Sequence, residues 1–169
     1  MPKHASKYLF VYSSLRTGFH QEKYAYITKY FDLVCSGKAK GIISDLGIEL
    51  VSTPAADDSF IKGELFLLKN ENDFSFVFGQ LDDYEGLDTE AGEKPLYRRE
   101  IAKVYKEDGT LDDAWIYWYN GDVSGKPVVD SGDILSYIKS KDLSQTKLLL
   151  SRNFYLKSPF TFSIFIRIH

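Results

Sequence analysis

Apolar and polar positions along this chain follow two rhythms. The first has a period of two: just after Lys7, Leu9 and Val11 alternate with Phe10 and Tyr12. All four residue types favour strands. Both faces of the run are apolar, so it reads as a central strand rather than an edge. Further strands are predicted over 31–43, 47–53, 61–68, 97–105 and 113–119. Gly37 and Gly41 suggest bends or bulges in the first of these. Pro54 ends the second. The second half of 61–68 is apolar on both faces, as in a buried strand. Glu107-Asp108-Gly109-Thr110 joins the last two as a hairpin, and Asn120-Gly121 is a turn.

The second rhythm is helical. Over 21–30, Tyr24, Ile27 and Phe31 fall on one face. Asn70 to Asp73 offer caps, and Phe74, Val77, Phe78 and Leu81 then recur at helical spacing. This helix is expected to run to about Asp83 and stop at Gly86. Gly132-Asp133 precedes a short helix over 134–139. Near the C-terminal end, Phe160, Phe162, Ile164, Ile166 and Ile168 alternate strictly with Thr161, Ser163, Phe165, Arg167 and His169. That pattern predicts a strand burying Phe162, Ile164 and Ile166, with Ser163 and Arg167 more exposed. Such a strand adds to an edge of its own sheet or to a second copy, which would give a homodimer. The whole is an α+β chain with a mixed, mostly antiparallel sheet: a domain over 1–140 and an extension over 141–169.

Composition narrows the function classes. The 169 residues suit one domain with a full hydrophobic core. A net charge of −3 gives no general attraction to nucleic acid or to an anionic membrane. Cys35 is alone, so no internal disulfide or Cys-based metal cluster is expected, and a reducing, cytoplasmic setting fits. His4, His20 and His169 show no metal spacing. Residues 1–7 are polar and the apolar run after them is too short for a leader. Residues 154–168 are interrupted by Lys157, Pro159 and Arg167 and fall short of the roughly 20 needed to span a bilayer.

Two stretches carry candidate chemistry. The first strand runs into Ser13-Ser14, where small residues let the backbone turn tightly and point N–H groups at an anion or a carbonyl. Ser14 lacks the G-x-S-x-G setting of an activated nucleophile. Arg16 suits an anion or a structural carboxylate pair. The second stretch ends in Glu85, at the end of the 74–83 helix and flanked by Leu81, Tyr84 and Leu87. A carboxylate sits poorly at a helix C-terminus, where the dipole favours cations. Apolar flanks would raise its pKa toward the range of a useful base. Asp82 shares a helix face with Glu85 and Asp83 does not; a solvated acidic helix end accounts for both aspartates. Tyr97 and Tyr117 lie on later strands that could line a pocket. Gly121 to Lys126 (G-D-V-S-G-K) lacks the spacing and the final Ser or Thr of a phosphate-binding loop.

The order Tyr12-Ser13-Ser14-Leu15-Arg16, then Leu81-Asp82-Asp83-Tyr84-Glu85-Gly86, then Tyr97-Arg98-Arg99 resembles the gamma-glutamylcyclotransferase-like (AIG2-like) family over residues 7–140. The family's first motif is usually Y-G-x-L-R, and here Ser13 replaces the glycine. A Cβ there hinders close approach, so Ser13 bears directly on substrate fit. The resemblance implies a small barrel with short surrounding helices. It also implies cyclisation of a γ-glutamyl amine or peptide to 5-oxoproline, with no cofactor. It assigns Glu85 as the acid/base, with Tyr12, Ser13, Ser14, Leu15, Arg16 and Tyr97 around a small-molecule substrate. A binding module without turnover, or another amide or transfer reaction on the same scaffold, is the alternative.

Overall fold

The computed structural model describes residues 5–12 and 22–151, with side chains described over 5–12 and 25–142. The order of elements is β1 (Tyr8–Val11), α1 (Glu22–Tyr30), β2 (Phe31–Asp45), β3 (Leu50–Pro54), β4 (Phe60–Leu68), a 3-10 turn (Glu71–Asp73), α2 (Phe74–Tyr84), β5 (Tyr97–Lys106), β6 (Leu111–Tyr119) and α3 (Ile134–Ser151). Among the described residues the strands form one sheet in the order β3-β2-β4-β1-β6-β5, and β2 also pairs with β5. That last pairing closes β2, β4, β1, β6 and β5 into a five-stranded barrel and leaves β3 as an added strand on β2. Only β1 and β6 run parallel in it, with Leu9 opposite Trp115. The expected mixed, mostly antiparallel barrel is the observed fold.

β1 is central, as its two apolar faces require. Phe10 and Tyr12 point into the barrel, against Ile43, Ile61, Leu65, Ile116 and Trp118. Leu9 and Val11 point outward into a second layer with Phe66, Leu68 and the apolar stripe of α2, Phe74, Val77, Phe78 and Leu81. Each of these large side chains contributes about 1.5–3 kcal/mol on burial. Ile27 of α1 is fully buried in the same outer layer.

β2 is long enough to pair with both β4 and β5, and it does so where Gly37 faces Gly63 on one side and Lys106 on the other. A Cβ on Gly63 would collide with the Val11 carbonyl and approach the Phe10 ring to 2.5 Å. One on Gly37 would approach Val104 Cγ1 to 2.9 Å. Gly37 is thus a close-packing position. The bulge in β2 lies earlier, between Leu33 and Cys35.

Two further elements differ from their sequence reading. Residues 46–49 form the turn of the β2–β3 hairpin rather than the start of β3, which begins at Leu50. α3 does not stop at 139 but continues to Ser151, with no Gly or Pro to interrupt it. Ile134 is buried at the end of the barrel interior, with Tyr137 and Ile138 packed beside it. The strand expected over 160–168 lies outside the described residues. No helix among them is long and apolar enough to cross a membrane.

Candidate active site

Strand direction brings one set of ends together. β1 and β6 are parallel, so their C-terminal ends share one end of the barrel, and the N-terminal end of β5, antiparallel to β6, joins them. A small cavity of about 40 Å³ opens there, lined by Phe10, Val11, Tyr12, Leu50, Glu85, Tyr97 and Tyr117. Tyr12, Glu85 and Tyr97, predicted from sequence to belong to one site, are therefore brought together. Ser13, Ser14, Leu15, Arg16 and His20 lie outside the described residues.

Glu85 reaches the cavity because of how α2 ends. It is the C-cap residue, and its N–H donates to the Leu81 carbonyl at 2.9 Å. Gly86 follows with φ +71, a left-handed conformation that costs glycine nothing. The Gly86 N–H donates to Asp83 O at 3.1 Å and the Leu87 N–H to Asp82 O at 2.9 Å. These two bonds are the Schellman pattern, completed when Leu87 packs against the outer core. The Glu-Gly-Leu sequence thus fixes both the stop and the direction of the Glu85 residue. Its apolar surroundings differ from those expected: Tyr84 is 39% exposed and Leu81 is turned into the core. The aromatic groups that share the cavity with Glu85 are Tyr12, Tyr97 and Tyr117.

Asp82 is no partner for Glu85 in a carboxylate pair. Arg99 donates to it through Nε at 2.8 Å and Nη2 at 3.0 Å, and the Tyr117 hydroxyl donates at 2.7 Å. The Arg99 guanidinium lies over Trp115 at 4.5 Å and Phe78 at 4.9 Å. A bidentate, aromatic-backed pair of this kind anchors a helix end to a barrel wall. Asp83 is exposed.

The three phenols are held protonated. The Tyr12 hydroxyl donates to the Tyr117 carbonyl at 2.6 Å, and its ring stacks on Trp118. Burial pushes its pKa far up, and the charge of Glu85 adds to the effect. Tyr97 is raised by burial and by the fields of Tyr12, Glu49 and Glu85. Tyr117 is raised by burial and by its bond to Asp82. None of them is a base near neutral pH.

The remaining wall is the β2–β3 hairpin, which sequence reasoning passed over. Leu50 lines the cavity and Glu49 immediately precedes it. The hairpin is pinned by the buried Asp45. Its carboxylate accepts from the Gly47 N–H at 2.8 Å, from the Tyr137 hydroxyl at 2.7 Å and from Lys141 Nζ. Among the described residues no group of three or more His, Cys, Asp or Glu is placed to hold a metal ion.

A family model for gamma-glutamyl cyclotransferase, AIG2-like, matches residues 9–136. The chain belongs to that family. YkqA from Bacillus subtilis has a similar structure, with TM-score 0.58 at 20% identity over 80% of this chain and 42% of that one. This chain therefore spans less than half the length of that protein. An AIG2-like protein from Mus musculus gives TM-score 0.53 at 16% identity over 75% of this chain and 88% of its own. Kluyveromyces lactis allophanate hydrolase gives TM-score 0.51 at 15% identity over 80% of this chain and 21% of its own. At these identities the likenesses establish the fold alone. No curated protein matches the sequence. Within the AIG2-like family, the ordered motifs of this chain acquire physical meaning. The first feeds one wall of the cavity through Tyr12. The second builds the helix end that carries Glu85, and the third supplies Arg99, which anchors that end.

Proposed function

We propose that this chain cyclises a γ-glutamyl amine or peptide to 5-oxoproline and releases the amine. The observation that carries the reading is the placement of Glu85 on a rigid helix end in the same cavity as the end of β1. The α-amine of the substrate attacks its own γ-carbonyl carbon, the new C–N bond closes a five-membered lactam, and the bond to the leaving amine breaks. One proton leaves the α-ammonium and one reaches the departing nitrogen. Glu85 carries out both transfers as general base and then general acid. The nucleophile belongs to the substrate, so folding it into reach is the main task, and no metal or organic cofactor is called for. Tyr12 and Tyr97, neutral and fixed, shape the cavity. Backbone N–H groups of Ser13 to Leu15 would receive the developing oxyanion, and Arg16 the substrate's carboxylate. The single cysteine suits a cytoplasmic setting for this chemistry. The extension over 141–169, with its alternating tail, is read as an addition to the same domain.

A second reading is favoured by one likeness: the same fold is found as a minor part of an allophanate hydrolase chain. The scaffold then serves binding or another amide reaction. Incubating the protein with a panel of γ-glutamyl amines and dipeptides and measuring 5-oxoproline by mass spectrometry separates the two. Release of 5-oxoproline is the expected result. Binding without any 5-oxoproline, or release of a different product, would remove the cyclotransferase reading.

A further inference from the structure

The outer face of α2 carries a pattern that a solitary chain does not account for. Phe74, Val77, Phe78 and Leu81 turn one side of the helix into the core. The opposite side is formed by Phe76, Gly79, Gln80 and Asp83, all exposed. Phe76 is 56% exposed, a large apolar side chain left to solvent. Gly79 has nothing within 4 Å of the place a Cβ would occupy. A glycine inside a helix costs stability relative to alanine, and here no neighbour within the chain demands it. α1 runs beside this face in the opposite direction. Its Tyr26 hydroxyl donates to Gln80 Oε1 at 2.6 Å, and its Tyr30 ring meets Phe76 edge-on at 6.1 Å. Lys29 belongs to the Phe76 end of the face, with Nζ 5.0 Å from the centre of the Tyr30 ring. Asp83 stands at the other end. Neither of the two is in an ion pair among the described residues.

A second copy of this chain meets each of these features at once. We infer that the protein self-associates through this face as a twofold dimer, in which the two α2 helices cross antiparallel with the axis between Gly79 and Gln80. A twofold contact presents the same surface from both sides, so the face must complement itself. With the helices antiparallel, position 76 of one copy stands level with position 83 of the other, and position 79 with position 80. Lys29 of each copy then faces Asp83 of the other, twice across the axis. Parallel helices would instead set Asp83 against Asp83 and Lys29 against Lys29, so charge selects the antiparallel arrangement. Gly79, with no side chain at the crossing, lets the two backbones approach closely. Phe76 leans toward the N-terminus of its own helix and so reaches Tyr84 of the other copy, which gives an aromatic contact at each end of the seam. The exposed residues of two helices of 9 and 11 residues fall short of the roughly 20–30 a side of a standard interface, so the dimer forms at micromolar concentration.

Sedimentation velocity of the full chain from about 1 to 500 μM tests this, since a micromolar dimer passes from mostly monomer to mostly dimer over that range. A protein that stays monomeric throughout overturns the inference. Phe76→Glu should weaken association about tenfold or more. Gly79→Gln gives the sharper contrast. It places a better helix former in open space, so thermal unfolding of the monomer, read at the lowest concentration, should be unchanged or raised. The same side chain fills the crossing and should abolish the dimer. Unchanged association in either variant puts the contact elsewhere and overturns the inference. The charge pairing is read by exchange. Lys29→Asp and Asp83→Lys alone should each weaken the dimer about tenfold, because every substitution acts twice across the axis. The double variant restores the pair with its sign reversed and should recover most of that loss. Losses that simply add in the double variant overturn the antiparallel crossing and the inference with it.

Discussion

The two walls of the cavity are built alike from unlike elements. One is the end of α2, where Asp82 binds Arg99 and Tyr117 and, three residues later, Glu85 meets the cavity. The other is the β2–β3 hairpin, where Asp45 binds Tyr137 and Lys141 and, five residues later, Leu50 lines the cavity. In each wall a carboxylate anchors the element and a residue that lines the cavity follows it, Glu85 in one and Leu50 in the other. They differ in what they are anchored to. α2 is tied to β5 and β6 by side chains, whereas the hairpin continues the barrel strand β2 and is clasped by α3 through Asp45. On the proposed reading, proton transfer, which tolerates little displacement, belongs to the helix end, where backbone hydrogen bonds fix Glu85.

The sharpest test of this division is Glu85→Gln. Gln keeps the size and one acceptor oxygen but cannot take a proton. Turnover of an active γ-glutamyl substrate should fall by about 10²–10⁴, the usual worth of general acid–base help, while the Schellman hydrogen bonds, all from backbone, keep α2 intact. Undiminished turnover, with 5-oxoproline measured directly, would take proton transfer away from this wall.

Next comes Asp82→Asn. The substitution removes the charge opposite Arg99 and one acceptor of a pair whose side chains are both 19% exposed. Breaking such a partly buried pair should cost about 2–3 kcal/mol in urea unfolding. Turnover should fall about tenfold because the Glu85 wall loosens, well short of the Glu85→Gln loss. A stable Asp82→Asn with a rate as low as that of Glu85→Gln would reverse the roles of the two carboxylates.

How much of this could be read from the chain follows from the range of each interaction. β1 was legible because apolar residues on both faces of a short run describe a central strand whatever its neighbours. The end of α2 was legible because Phe74, Val77, Phe78 and Leu81 and the Glu85-Gly86 stop are local signals. Barrel closure was not, since it depends on one strand pairing with two others around Gly37, and neither rhythm nor turn chemistry reports that. Asp82 looked like a solvated helix end because its partner Arg99 lies a strand away. Leu50 left no signal of a site, for an apolar residue in a short strand is ordinary until the hairpin is seen to reach the cavity. The helix reading for 134–139 stopped short because residues 140–147 are largely polar, yet the Asp45 contacts at Tyr137 and Lys141 hold that segment.

The smallest expected effect belongs to Asp45→Asn, and it comes with a pH signature. Burial by itself would raise the Asp45 carboxyl. The bonds from Lys141, Tyr137 and the Gly47 N–H outweigh it and hold the group below the usual carboxylate range. A depressed folded-state pKa means that the ionised group stabilises the fold fully above its unfolded value of about 3.9 and loses that contribution as pH falls through the folded value. Asp45→Asn should therefore cost about 1–2 kcal/mol at pH 7, one or two charge-assisted hydrogen bonds in a side chain that is 8% exposed. The difference from wild type should shrink as the pH is lowered from roughly 5 to 2. Thermal unfolding of both proteins across that range reads the sign directly. A gap that stays constant with pH would show that the carboxylate acts through packing rather than charge, and the hairpin wall would then owe its position to the β2–β3 pairing and to its backbone bonds with residues 127–129.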